Sequence, residues 1–114
     1  MALTIYHNPR CSKSRQTLAL LEEKGLAPNV VSYLENPPTK ATLKEIVSKL
    51  GVSSVRDIMR KKEAPYTDLS LAEASEAALL DAVSAHPILL ERPIVVYGDR
   101  AAIGRPPESV LEIL

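Results

Sequence analysis

The chain has 114 residues, 46% hydrophobic and 25% charged, with 14 basic and 14 acidic side chains and a formal net charge of zero. That length suits one domain with its own core, and the balance of apolar and charged residues excludes an intrinsically disordered chain. The charge balance removes any global argument for nucleic acid, a single Cys excludes an intramolecular disulfide, and no apolar run nears the ~20 residues of a membrane span.

Lacking Phe and Trp and with four Tyr, the core must be made of Leu, Val, Ile and Ala. The opening Met1-Ala2-Leu3-Thr4-Ile5-Tyr6 has no basic segment leading into a long apolar run. No signal peptide is therefore expected, and the location expected is cytoplasmic.

Leu3–Tyr6 is a short β-favourable run ended by His7-Asn8-Pro9. From Ser12 to about Lys24 the spacing predicts a helix stopped by Gly25, with Cys11, Ser14, Leu18 and Leu21 in line on its inward stripe. Val30–Leu34 is the second strand, which completes a β-α-β unit with parallel strands. After Pro37-Pro38, Thr39 is placed to cap a helix carrying Leu43, Ile46, Val47 and Leu50, and Gly51 ends it. Ser53 or Ser54 caps a shorter helix with Val55, Ile58 and Met59. Lys61–Ser70 reads as a loop broken by Pro65. A further helix is expected from near Ser75 to Ala85, with Leu79, Leu80 and Val83 inward, ending before Pro87.

Ile94-Val95-Val96-Tyr97 is continuously apolar, as a central strand is. Gly98-Asp99 suits a type II′ hairpin turn into a returning strand, Arg100–Ile103. Pro106-Pro107 then opens a last helix with Val110, Leu111 and Leu114 inward. The order β-α-β, helical segment, β-β-α implies an α/β protein with a four-stranded mixed sheet, thioredoxin-like in arrangement, with a helical insertion.

Cys11 sits where a strand hands over to a helix, among Arg10, Lys13 and Arg15. Unpaired N–H groups and the positive end of the helix dipole favour an anion there, whether a thiolate or an incoming oxyanion. A buried structural cysteine is the competing reading; the position at a helix start among bases favours the reactive one. His7 either holds an imidazolium near the thiolate or relays a proton, or it hydrogen-bonds the turn backbone. Arg60, Arg92 and Arg105 stand out because a guanidinium grips a tetrahedral oxyanion with paired N–H groups. Each could instead be a surface base, but Arg92 and Arg105 flank strands where the sheet presents its loops. One Cys and two separated His cannot make a zinc site, and no phosphate-binding glycine motif is present. Arg60-Lys61-Lys62 reads as a solvated helix end, so neither a nucleic-acid nor a membrane partner is expected.

At Tyr6-His7-Asn8-Pro9-Arg10-Cys11-Ser12-Lys13-Ser14-Arg15 the sequence resembles the ArsC-type arsenate reductase family. The resemblance continues through Met59-Arg60-Lys61-Lys62-Glu63 with Pro65-Tyr66, then Glu91-Arg92-Pro93-Ile94-Val95, then Ile103-Gly104-Arg105-Pro106-Pro107-Glu108. It implies a single thioredoxin-like domain over residues 1–114, with a helical insertion at about 39–91 and Pro93 as its cis-proline. It further implies Cys11 as nucleophile, His7 as the residue lowering its pKa, and Arg60, Arg92 and Arg105 as oxyanion ligands. Lys13, Ser14 and Arg15 would stabilise the thiolate or dock glutathione.

The reaction so implied is reduction of arsenate or a related oxyanion. Cys11 attacks arsenic(V), and external glutathione and glutaredoxin reduce the adduct to release arsenite. Glutathione is then a co-substrate, with no tightly bound cofactor and no metal. The family also holds glutathione-dependent thiol/disulfide reductases and non-enzymatic Spx-type regulators that bind RNA polymerase. Many of the latter carry Cys-x-x-Cys, whereas Ser14 occupies the fourth position here. That departure argues against an internal disulfide switch and leaves a non-redox binding role open.

Overall fold

In the computed structural model, which describes residues 2–114, β1 (Leu3–His7) leads through a short turn into α1 (Ser12–Glu23), then β2 (Asn29–Ser32). Helix α1 stops at Lys24, and Gly25 takes φ 76°, a left-handed conformation open to a residue without Cβ. The chain later supplies β3 (Ile94–Tyr97), β4 (Arg100–Ile103) and a 3₁₀ helix over Pro107–Ile113. Strand order is β2-β1-β3-β4. β1 and β2 are parallel, with Ile5 opposite Val30, while β1–β3 and β3–β4 are antiparallel. This is the mixed four-stranded sheet of a thioredoxin-like fold, and the continuously apolar run is one of its central strands. Gly98 has φ 62°, and no positive φ falls on Asp99, as a type II′ turn between Tyr97 and Arg100 requires.

The chain divides into two compact units, one made of the described residues up to Asn36 with Arg92–Leu114, the other of Pro37–Glu91. In the first, alternation puts Leu3 and Ile5 on one sheet face, with Val95 directly opposite Ile5. Leu21 of α1 and Val110 and Ile113 of the 3₁₀ helix close over them, and Leu18, Leu20 and Tyr97 pack at the margin. Each fully buried aliphatic side chain of this cluster contributes about 1.5–3 kcal/mol of transfer free energy. His7 continues the Leu3–Ile5 parity, so its ring is directed to the α1 side, where Ser14 and Thr17 are buried.

The carboxy-terminal segment departs from expectation. At three residues per turn, positions three apart eclipse, so Pro107, Val110 and Ile113 face inward, while Leu111 is half-buried and Leu114 exposed. An α-helical stripe of Val110, Leu111 and Leu114 is thereby corrected.

In the second unit, α2 (Lys40–Leu50) starts with the Thr39 hydroxyl accepting the Thr42 N–H at 3.1 Å and ends at Gly51, φ 75°. Ser54 caps a 3₁₀ turn over Val55–Ile58, and Ser75 caps α4 (Glu76–Ala85). Leu79, Leu80 and Val83 are buried as expected. The loop expected at Lys61–Ser70 instead contains α3 (Ala64–Asp68). Pro65 falls in its first turn, where a missing N–H costs no hydrogen bond, so it begins a helix rather than breaking one. Arg56 ties this region together, donating to Tyr66 Oη at 2.9 Å and to the carbonyls of Leu71 at 2.7 Å and Ala74 at 2.9 Å. No helix among the described residues is long and apolar enough to cross a membrane.

Candidate active site around Cys11

The site begins as a turn. Cys11 N–H donates to the Asn8 carbonyl at 3.0 Å, and Asn8 Oδ1 accepts the Arg10 N–H at 3.0 Å. These bonds fold residues 8–11 tightly enough that Cys11 becomes the residue preceding α1, in extended conformation (φ −95°, ψ 123°) and without a side-chain cap. A serine or aspartate there would use its oxygen to satisfy the free amides of the first turn. Here the sulfur faces them instead.

The thiol is half-buried. Burial by itself raises its pKa, but the Ser14 N–H, the Arg92 guanidinium and the Lys13 N–H together lower it below the ordinary thiol value. Arg105 adds a second guanidinium, with Nη2 at 3.7 Å from Sγ, and its Nε donates to the Arg92 carbonyl at 2.8 Å. The peptide bonds Arg92–Pro93 and Arg105–Pro106 are both cis; the former was implied by the family resemblance, the latter was not. Nε and Nη1 of Arg92 are buried with no hydrogen-bond partner. Buried guanidinium donors are ordinarily satisfied, so this pair is unspent capacity for an anion.

Two arginines expected at the site are thus beside the sulfur. Arg60 belongs to the second unit, where its Nε pairs with Glu63 Oε1 at 3.1 Å and its N–H donates to the Leu89 carbonyl. Lys13 and Ser14 act on the thiol through their backbone amides rather than their side chains. Arg15 Nη1 donates to the Pro9 carbonyl at 2.9 Å, bracing the turn.

His7 takes a course unlike an imidazolium poised at the thiolate. It is buried, and its Nδ1 lies 2.6 Å from Ser14 Oγ. Burial and then the Arg15 charge lower its pKa, which favours a neutral ring. The cation that lowers the thiol pKa is Arg92, and His7 reaches the helix start through Ser14.

Tyr33 and Asn8 escaped the sequence reading. Both are buried, and Tyr33 is influenced by Arg92, Asn8 and Cys11 together. Only the folded chain brings them there, each just past the end of a strand. Among the described residues no cluster of three or more His, Cys, Asp or Glu could hold a metal ion.

Comparison with known proteins gives consistent relationships. The family model described as "ArsC family" matches residues 6–113. An arsenate reductase of Haemophilus influenzae is 53% identical over the whole of both chains. Uncharacterized protein YfgD of Escherichia coli is 56% identical, over 96% of this chain and 94% of its own. Among solved structures, an arsenate reductase from Vibrio cholerae superposes with a TM-score of 0.96 at 53% identity, covering 100% of this chain and 98% of that one.

Proposed function

The chain belongs to the ArsC family, and from that membership we propose that it is an arsenate reductase using Cys11 as nucleophile. The observation that carries the reading is the sulfur at the start of α1 with lowered pKa, Arg105 Nη2 3.7 Å away and Arg92 beside it.

The Cys11 thiolate attacks arsenic(V), an S–As bond forms, and one As–OH oxygen leaves as water after taking a proton. Amides at the helix start and the guanidinium groups of Arg92 and Arg105 stabilise the anionic oxygens during the displacement. Arg60, the third arginine the family resemblance implies, is assigned to the same task on sequence grounds. The chain contains one Cys, so no second thiol of its own can resolve the adduct. Two external thiols must supply the two electrons: one attacks the adduct, the other closes a disulfide, and arsenic(III) leaves as arsenite. Glutathione with glutaredoxin is the reductant pair we assign, with Lys13 and Arg15 as docking cations. A pool of reduced thiols places the reaction in the cytoplasm.

The test is a coupled assay with glutathione, glutaredoxin, glutathione reductase and NADPH. NADPH oxidation should begin on arsenate addition and vanish in Cys11→Ser. No arsenate-dependent oxidation would overturn the reading, and turnover of a glutathione mixed disulfide instead would make that disulfide the substrate.

A further inference from the structure

Beside the Cys11 turn, and wholly within the first unit, the surface is hollowed into a cleft of about 520 Å³, within the roughly 300–1,000 Å³ of small-molecule sites. One wall is a stripe of α1. Lys13, Gln16, Leu20 and Glu23 follow one another at intervals of three, four and three, the spacing that keeps side chains on one helix face. The other wall is Pro106, Pro107 and Glu108, where the chain enters the 3₁₀ helix. Both walls start next to the sulfur. Lys13 is two residues beyond Cys11, and Pro106 directly follows Arg105, whose Nη2 is 3.7 Å from Sγ.

Charge runs along this cleft in one sense. Lys13 stands at the end nearest Cys11, and Glu23 closes the far end of α1, ten residues further on, or about 15 Å at the rise of an α-helix. Glu108 adds a second carboxylate on the facing wall. All three side chains are exposed, and neither of the ion pairs among the described residues involves them. Gln16, between the two ends, offers both a donor and an acceptor, which suits a peptide group. Leu20 is half-buried and adds apolar surface to that of the two prolines. Proline fixes its own φ, so that wall needs little ordering when a guest binds.

We propose that this cleft is the docking site of the external thiol, and that the thiol it takes is a small peptide bearing carboxylates and an ammonium group, as glutathione does. The proposal rests on the reading of Cys11 as nucleophile. With one Cys in the chain, the first of the two reducing thiols must bring its sulfur to Cys11 from outside. A tripeptide reaches about 10 Å when extended, short enough to lie in the cleft with its sulfur at the Cys11 end. Its terminal carboxylate is then directed to Lys13, its peptide groups to Gln16, and its ammonium to the carboxylates of Glu108 and Glu23. An uncharged thiol finds none of these ionic partners, and an acidic peptide without an ammonium is repelled by the two glutamates.

S-methylglutathione keeps the charges of the peptide and has no thiol to react, which makes it the probe for ¹⁵N-amide NMR on the unaltered protein. Titrated to millimolar concentration, it should move the Gln16, Leu20, Glu23 and Glu108 amide resonances along one saturating curve. Glu108→Lys reverses an exposed charge and should weaken that binding about threefold. Absence of a saturable shift at these four residues, shifts confined to residues outside the cleft, or an unchanged Kd in Glu108→Lys each overturns the proposal. The titration needs no arsenate. Saturable shifts at the cleft without arsenate turnover would therefore overturn the proposed function and leave the docking site standing, and arsenate turnover without those shifts would do the reverse.

Discussion

Ser14 Oγ lies 2.6 Å from His7 Nδ1 and accepts the Asn8 N–H at 3.0 Å. A hydroxyl has one proton to give, and no other acceptor takes it among the described residues, so Ser14 donates to Nδ1. The hydrogen-bond pattern thus assigns His7 as the neutral tautomer protonated on Nε2. The pair ties the end of β1 to the first turn of α1, the two elements that hold the Cys11 turn between them.

Ser14→Ala is expected to leave the Asn8 N–H and His7 Nδ1 buried without partners. Such losses cost about 1–3 kcal/mol, readable as a lower urea midpoint with unchanged slope. A loss below about 0.5 kcal/mol, the scale of an ordinary surface substitution, would show that the serine carries no such bond.

The neutral ring also sets a pH dependence. The His7 pKa is lowered from 6.5, by burial first and the Arg15 charge second, so the unfolded chain takes up the imidazole proton before the folded one does. The resulting stability is complete above about pH 6.5 and is lost as pH falls through the lower folded value. Urea midpoints from pH 7.5 down to 5 should therefore fall more steeply for the unaltered protein than for His7→Gln, which has nothing to titrate there. Parallel profiles would remove His7 from the account.

Arg92 is among the groups that lower the thiol pKa, and its positive charge is part of that effect. Arg92→Gln keeps some donor capacity and removes the charge, so the Cys11 pKa should rise by about half to one unit. Loss of one donor from an oxyanion site lowers turnover by about 10²–10³-fold, and arsenate-dependent NADPH oxidation should fall on that scale. If the alkylation profile and turnover both match the unaltered protein, the guanidinium is a bystander.

Much of this architecture is legible locally. Thr39, Ser54 and Ser75 announce helix starts, Gly25 and Gly51 announce stops, and alternation identifies the strands. Pro65 misled because proline both breaks helices and begins them, and nothing within a few residues distinguishes the two. The 3₁₀ form of Pro107–Ile113 was hidden because Val110 and Leu111 suit either helical period. The site is legible in its first part, since the cysteine, the turn and the basic residues are contiguous. Its second part is not: Arg105 meets a sulfur 94 positions earlier in the chain, and spacing carries no information about that. Arg92 and Arg105 were singled out by their places at strand ends and by family resemblance. Tyr33 follows an apolar run and carries no local signal, because its relation to Asn8 and Arg92 exists only in the folded chain.

Gly104 gives the sharpest steric prediction. Its N–H donates to the Pro93 carbonyl at 2.9 Å, drawing the end of β4 against the start of β3. A Cβ at this position would lie 2.5 Å from Thr17 Oγ1 and 2.7 Å from Pro93 Cγ. Neither neighbour can yield easily: Thr17 is fully buried and its hydroxyl donates to the Lys13 carbonyl at 2.8 Å, while Pro93 is a buried ring. Gly104→Ala must therefore push α1 away from the Arg92–Pro93 segment, at a cost of about 1–3 kcal/mol. Because Cys11 precedes α1 and Arg92 precedes Pro93, the same displacement separates the sulfur from its guanidinium, and the Cys11 pKa should rise along with the loss of stability. Gly51→Ala is the contrast. No atom lies within 4 Å of its added Cβ, and only the left-handed φ of 75° is strained, a backbone cost of about 1 kcal/mol. Urea midpoints and iodoacetamide profiles on both variants separate the two mechanisms: Gly104→Ala should shift both readings, Gly51→Ala the midpoint alone.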